Sequence, residues 1–146
     1  MKKLISLFLS LVMCCCFTTA AFASNATTSY QKQYIEARFS DFSNVDIYLT
    51  EDDFGFLHIE GSAVASSSSQ LVKVTVTLEQ YMTEGFESMG DNFVWSAEGY
   101  YGAATQATRS VSRGSYRARI DAECWENGVL QESLTFYSDI VNISKK

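Results

Sequence analysis

The chain has 146 residues, with eleven Lys and Arg against seventeen Asp and Glu, a formal net charge of −6, 47% hydrophobic residues and no proline. Apart from Glu51-Asp52-Asp53 the acidic groups are scattered, and so are the basic ones, so no cationic stripe exists for nucleic acid or anionic lipid.

Lys2 and Lys3 precede an apolar run from Leu4 to Phe22, which exits through Ala21-Phe22-Ala23 before the chain turns polar at Ser24. A basic start, an apolar stretch and a small-x-small exit read as a secretory signal peptide over residues 1–23. Ser6, Ser10 and Thr18-Thr19 interrupt the run, which argues against a retained membrane anchor. Three of the four cysteines, Cys14, Cys15 and Cys16, lie inside it, and Met13 is not the small residue a lipid-modified cysteine needs before it. The expected product is secreted, begins at Ser24, and holds a single thiol, Cys124, with no intrachain disulfide. Without Lys2 and Lys3 it has nine basic and seventeen acidic residues, a net charge of −8. About 120 residues can bury roughly two-thirds of their unfolded surface, enough for one domain.

Residues 24–31, SNATTSYQ, read as a flexible leader. From 32 to 146 one domain is expected, and its dominant period is two. NVDIYLT sets Val45, Ile47 and Leu49 against Asp46, Tyr48 and Thr50, and GFLHIEGSAVA aligns Leu57, Ile59, Gly61 and Ala63 opposite His58 and Glu60. LVKVTVTLEQY places Val72, Val74, Val76 and Leu78 on one face, with Lys73, Thr75, Thr77 and Glu79 on the other. That is a half-buried antiparallel strand rich in β-branched residues. NFVWSAEGYY aligns Phe93, Trp95, Ala97, Gly99 and Tyr101, and TQATRSVS is a weaker strand. GSYRARIDAECW puts Tyr116, Ala118, Ile120, Ala122 and Cys124 on one face, and Arg117, Arg119, Asp121 and Glu123 on the solvent face. In the last segment Leu130, Leu134 and Phe136 share a phase, and the shift to Val141 and Ile143 implies a bulge near Tyr137-Ser138. Turns fall at EDDFG, SSSS, TEGFESMGDN, SRGS and ENG. With no sustained helical period, the expected fold is all-β, an antiparallel immunoglobulin-like β-sandwich of about seven strands.

Two resemblances sharpen this. YRARIDA at 116–122 followed by GVLQES at 128–133 resembles the last hairpin of immunoglobulin-like and fibronectin type III domains. Those domains start the strand with a tyrosine whose hydroxyl ties back to the preceding turn, and Gly114 suits such a corner. The wider layout is similar to a family of short secreted proteins of unknown function from Gram-positive bacteria. It carries their VTVTL strand at 74–78, the strand of Trp95, G-x-Y-R at 114–117, and a terminal Gly128 and Glu132. The likeness implies no catalytic residues.

Cys124 and His58, the single histidine, could form a thiol dyad, but a nucleophilic thiol needs a lowered pKa and a nearby base. The phases put Cys124 on the core face, where a thiol packs as a small apolar group, and His58 on a polar face. Glu51-Asp52-Asp53 before Gly55 lacks the alternating ligand spacing of a calcium loop and reads as a charged turn. Tyr48, Tyr100, Tyr101 and Trp125 could form an exposed aromatic face. Tyr100, opposite Trp95 in phase, and Trp125, opposite Cys124, are the leading binding candidates. Tyr116, Gly114, Trp95 and Cys124 are expected to be structural. The resulting expectation is a non-catalytic secreted module that binds an extracellular protein or glycan, without cofactor or metal. The alternative is a small secreted hydrolase that uses a carboxylate pair of the glycosidase type.

Overall fold

Residues 40–144 are described by the structure, a computed structural model. The signal peptide and leader read in the sequence, the three cysteines at 14–16 and the start of the expected domain at 32–39 lie outside the described residues. Nine strands cross the described part. They are β1 (Phe42–Glu51), β2 (Phe56–Ala65), β3 (Leu71–Met82), β4 (Gly85–Ser88), β5 (Val94–Tyr100), β6 (Gly102–Ser110), β7 (Gly114–Glu126), β8 (Val129–Tyr137) and β9 (Val141–Ile143). A 3-10 turn, Asp91–Phe93, precedes β5. Among the described residues no helix is long and apolar enough to cross a membrane.

The strands form an all-β sandwich of two antiparallel sheets. The smaller has the order β1-β2-β6. The larger is built on β3, which pairs along one edge with β4 and β5 and along the other with β7. β7 in turn carries β8 and β9 on its far edge. The alternation in β3 and β7 explains why these two strands are central. Val72, Val74, Val76 and Leu78 lie opposite Cys124, Ala122, Ile120 and Ala118, and all eight side chains are fully buried. Leu57, Ile59 and Ala63 of β2 meet them from the other sheet. The sheets are close at Gly61, where an added Cβ would collide with Val76 Cγ2 and stand 3.3 Å from Ile120 Cδ1. Glycine is required there by close approach, not by backbone conformation.

Several sequence readings are corrected. Nine strands replace about seven, because the stretch read as one long turn, 83–92, contains β4, and because the last segment breaks in two. The break is the bulge expected near Tyr137-Ser138: Tyr137 pairs with Arg119 and Val141 with Tyr116, so three residues, 138–140, stand opposite Arg117 and Ala118. β8 ends at Tyr137, Ser138 N–H donates to the Ala118 carbonyl at 2.8 Å, and its hydroxyl accepts from Ala118 N–H at 2.9 Å. Backbone and side chain of Ser138 thereby both tie the bulge to Ala118 of β7. A second bulge, not read in the sequence, lies at the other end of β8: Cys124 pairs with Glu132 but Trp125 pairs with Leu130, so Gln131 is the extra residue. Leu130 is thereby turned out of the core phase that it shares in sequence with Leu134 and Phe136, and is 43% exposed. Tyr101 also leaves its predicted phase. It sits between β5 and β6 at φ 69°, where the chain passes from one sheet to the other, and its ring is exposed. The ENG turn has Asn127 and Gly128 both at positive φ, the pairing a two-residue hairpin demands.

Candidate binding face

Antiparallel partners directly opposite one another point to the same side of a sheet, so the register defines what the outer face presents. On the larger sheet Tyr100 pairs with Leu71, Leu71 with Trp125, and Trp125 with Leu130. The two residues singled out for binding therefore lie in one row, two strands apart, with Leu71 between them. Neighbouring strands are about 4.8 Å apart, so the two residues are separated by about 10 Å. Tyr100 is 73% exposed and Trp125 is half-buried.

The next row along the strands is charged. Lys73 lies in register with Glu98 on one side and Glu123 on the other. Its Nζ stands 5.3 Å from the Trp125 ring centroid and 3.6 Å from Glu98 Oε2, while Trp125 Nε1 donates to Glu123 Oε2 at 2.9 Å. Trp125 is thus held by a carboxylate at its edge and an ammonium over its face.

Further down the same face is a cluster that the sequence did not disclose. Glu79, expected on a solvent face, is buried. Its carboxylate accepts from Arg117 Nε at 2.7 Å and from an Arg119 guanidinium nitrogen at 3.2 Å. The Arg117 guanidinium is sandwiched between the rings of Phe86, at 4.4 Å, and Tyr137, at 4.1 Å, and Tyr81 packs edge-on against Phe86 at 5.3 Å. Arg119 Nε also donates to Asp121 Oδ2 at 3.0 Å. The arginines are on the outer face as the period says, yet they cover Glu79 instead of extending into water. The signal for this was absent from the sequence because β4, which brings Phe86, has too few residues to show a period.

The remaining candidates fall elsewhere. Tyr48 is half-buried on β1, in the other sheet, so it does not join Tyr100 and Trp125. Trp95 pairs with fully buried Val76 and packs against the core, capped by the Arg109 guanidinium 5.0 Å from its ring. Fully buried Tyr116 donates its hydroxyl to the Ser112 carbonyl at 2.8 Å, and the Ser112 hydroxyl lies 3.2 Å from Tyr116 Oη. Gly114 begins that strand, with Gln80 Nε2 2.8 Å from where a Cβ would stand. Cys124 is fully buried, and burial pushes its thiol pKa up, with the charges of Asp41, Glu132 and Glu126 adding to the effect. Its Sγ lies 3.8 Å from the Asp41 carbonyl.

His58 is exposed on the outer side of the other sheet, so a Cys124–His58 dyad does not form. The histidine has other partners: Nε2 is 3.0 Å from Asp52 Oδ2 and Nδ1 is 3.0 Å from Thr108 Oγ1. Asp52 is committed to its turn, where Oδ1 accepts from the N–H groups of Phe54 and Phe56, each at 2.9 Å. The hydrogen bond from His58 and that from the Phe56 N–H hold its carboxyl below the ordinary aspartate range. Among the described residues no group of three or more His, Cys, Asp and Glu side chains is placed to hold a metal ion.

No protein-family model matches the chain, and no curated protein matches it significantly.

Proposed function

We propose that the chain is a secreted, non-catalytic binding module of immunoglobulin-like design. In this reading the ligand, an extracellular protein or glycan, sits on the outer face of the larger sheet. The observation that carries the reading is the register that brings Tyr100, Leu71 and Trp125 into one row. Large rings on a flat strand face offer contact area at low entropic cost, as at many recognition surfaces.

The immunoglobulin-like assignment is supported by the strand order. The first, second and sixth strands share one sheet and the third, seventh and eighth the other, with β4 and β5 added at the free edge of β3. The Tyr116–Ser112 bond at the start of β7 resembles the tyrosine corner of such domains. Kinship with the short secreted proteins of Gram-positive bacteria belongs to the same proposal, and rests on the VTVTL strand, Trp95 and G-x-Y-R. The single mature thiol is spent in the core, which leaves no activated thiolate for chemistry.

The test is a pull-down from cell-envelope and host fractions together with a surface-glycan panel, scored for both binding and turnover. Binding without turnover, lost in Tyr100→Ala/Trp125→Ala while far-ultraviolet circular dichroism is unchanged, is the expected outcome. Hydrolysis of a glycan or peptide, abolished by changing one carboxylate, replaces this reading with the hydrolase.

A further inference from the structure

The Tyr100–Trp125 row already holds a cation of its own. Lys73 places its ammonium over the Trp125 ring, between Glu98 and Glu123, and its side chain is 44% exposed. An aromatic face attracts a cation within about 6 Å of its centroid, and flanking carboxylates strengthen the attraction. The carboxylates outnumber that one ammonium. Glu98 and Glu123 stand against one lysine, and Glu123 accepts from the neutral Trp125 indole. Of these two carboxylates, Glu98 is the one in an ion pair with Lys73. The row therefore combines apolar contact with an excess of negative charge, and the −6 charge of the chain extends the field with the same sign.

We infer that the ligand of this row is a cationic peptide segment presenting a lysine or arginine beside an apolar residue, and that Lys73 occupies the cationic position in the free protein. The inference rests on the row being the ligand surface, as proposed above, and names what that surface takes. Leu71 and Leu130 give an aliphatic side chain something to pack on, whereas a sugar needs an open ring face and Lys73 lies over that of Trp125. A second copy of the chain would bring the same acidic charge and be repelled.

The experiment is fluorescence anisotropy at low salt with three labelled probes: a decapeptide of lysine and serine around a central leucine pair, the same peptide with glutamate for lysine, and an uncharged chitin oligomer. The lysine peptide is expected to bind at least about tenfold more tightly than either other probe. Glu98→Gln and Glu123→Gln should each weaken it about threefold, the scale of an exposed ion pair, and flatten its salt dependence. Lys73→Met should tighten binding about threefold, because it removes the resident competitor while keeping the apolar stem. Equal binding of the three probes, no response to Glu98→Gln and Glu123→Gln, weaker binding by Lys73→Met, or self-association of the protein in place of peptide binding each overturns the inference. Tyr100→Ala/Trp125→Ala separates the two levels. Lysine-peptide binding retained in that variant rejects the row itself. Binding of the uncharged sugar probe that is lost there, yet indifferent to Glu98→Gln and Glu123→Gln, keeps the row and rejects the cationic ligand.

Discussion

Replacing Arg117 by alanine should be among the most damaging changes on the outer surface of the larger sheet. The side chain makes a 2.7 Å charge-assisted hydrogen bond to Glu79, which is only 4% exposed, and stacks between Phe86 and Tyr137. A hydrogen bond to a charged group contributes about 1.5–3 kcal/mol. Each partly exposed cation–ring contact adds about 0.5–1 kcal/mol. Arg119 stays on Glu79 and water enters the vacated space, which offsets part of the loss, so the net cost is about 2–4 kcal/mol. For a domain of this size that lowers the melting midpoint by about 8–16 °C. Urea unfolding followed by tryptophan fluorescence measures it, with Arg117→Lys alongside. Lysine keeps the charge but has neither Nε nor a planar group to stack, and should recover no more than about half of the loss. A cost below about 0.5 kcal/mol for alanine, the level of an ordinary surface change, or full recovery with lysine, would refute the stacked-arginine account.

Tyr116→Phe removes the hydroxyl that reaches the Ser112 carbonyl and should cost about 1–2 kcal/mol in the same assay; an unchanged midpoint removes the corner but not the sandwich. Gly61→Ala drives a methyl into Val76 and should destabilise by about 1–3 kcal/mol, visible as a lower urea midpoint with the circular dichroism spectrum retained. Cys124 should react slowly with a thiol reagent in the native protein and rapidly in denaturant, since the thiol is buried and its pKa raised. Fast native labelling would reopen nucleophilic chemistry. Asp52 is depressed below its usual 3.8, so the stabilisation from its charged form is complete above that pH and lost as pH falls below it, through the folded value. Asp52→Asn should therefore remove part of the acid sensitivity measured below about pH 4, and an unaltered acid-unfolding profile would contradict this.

How much of this was legible in the sequence differs from element to element. In β3 and β7 the period of two ran unbroken for eight residues or more, and every side chain read as inward there is buried. Tyr116 was legible too, because the corner it makes is local, with its acceptor four residues upstream. Leu130 was not. One bulged residue, Gln131, reverses its face, and whether a bulge forms is decided by the partner strand. Glu79 looked solvated because a period of two says which side a residue faces, not what else lies over that side.

The sequence by itself determined which strands exist at the centre, which faces are apolar, and that Cys124, Ala118 and Val76 turn inward. Those features follow from alternation and β-branched content, which are local properties of the chain. Tertiary structure alone decided that Tyr100 and Trp125, 25 positions apart in the chain, share a row through Leu71, and that Lys73 lies over Trp125 between two carboxylates. It also decided that Phe86 and Tyr137 close on Arg117. Those neighbours come from register between strands distant in sequence, and register is set by how the whole core packs, which no single segment encodes.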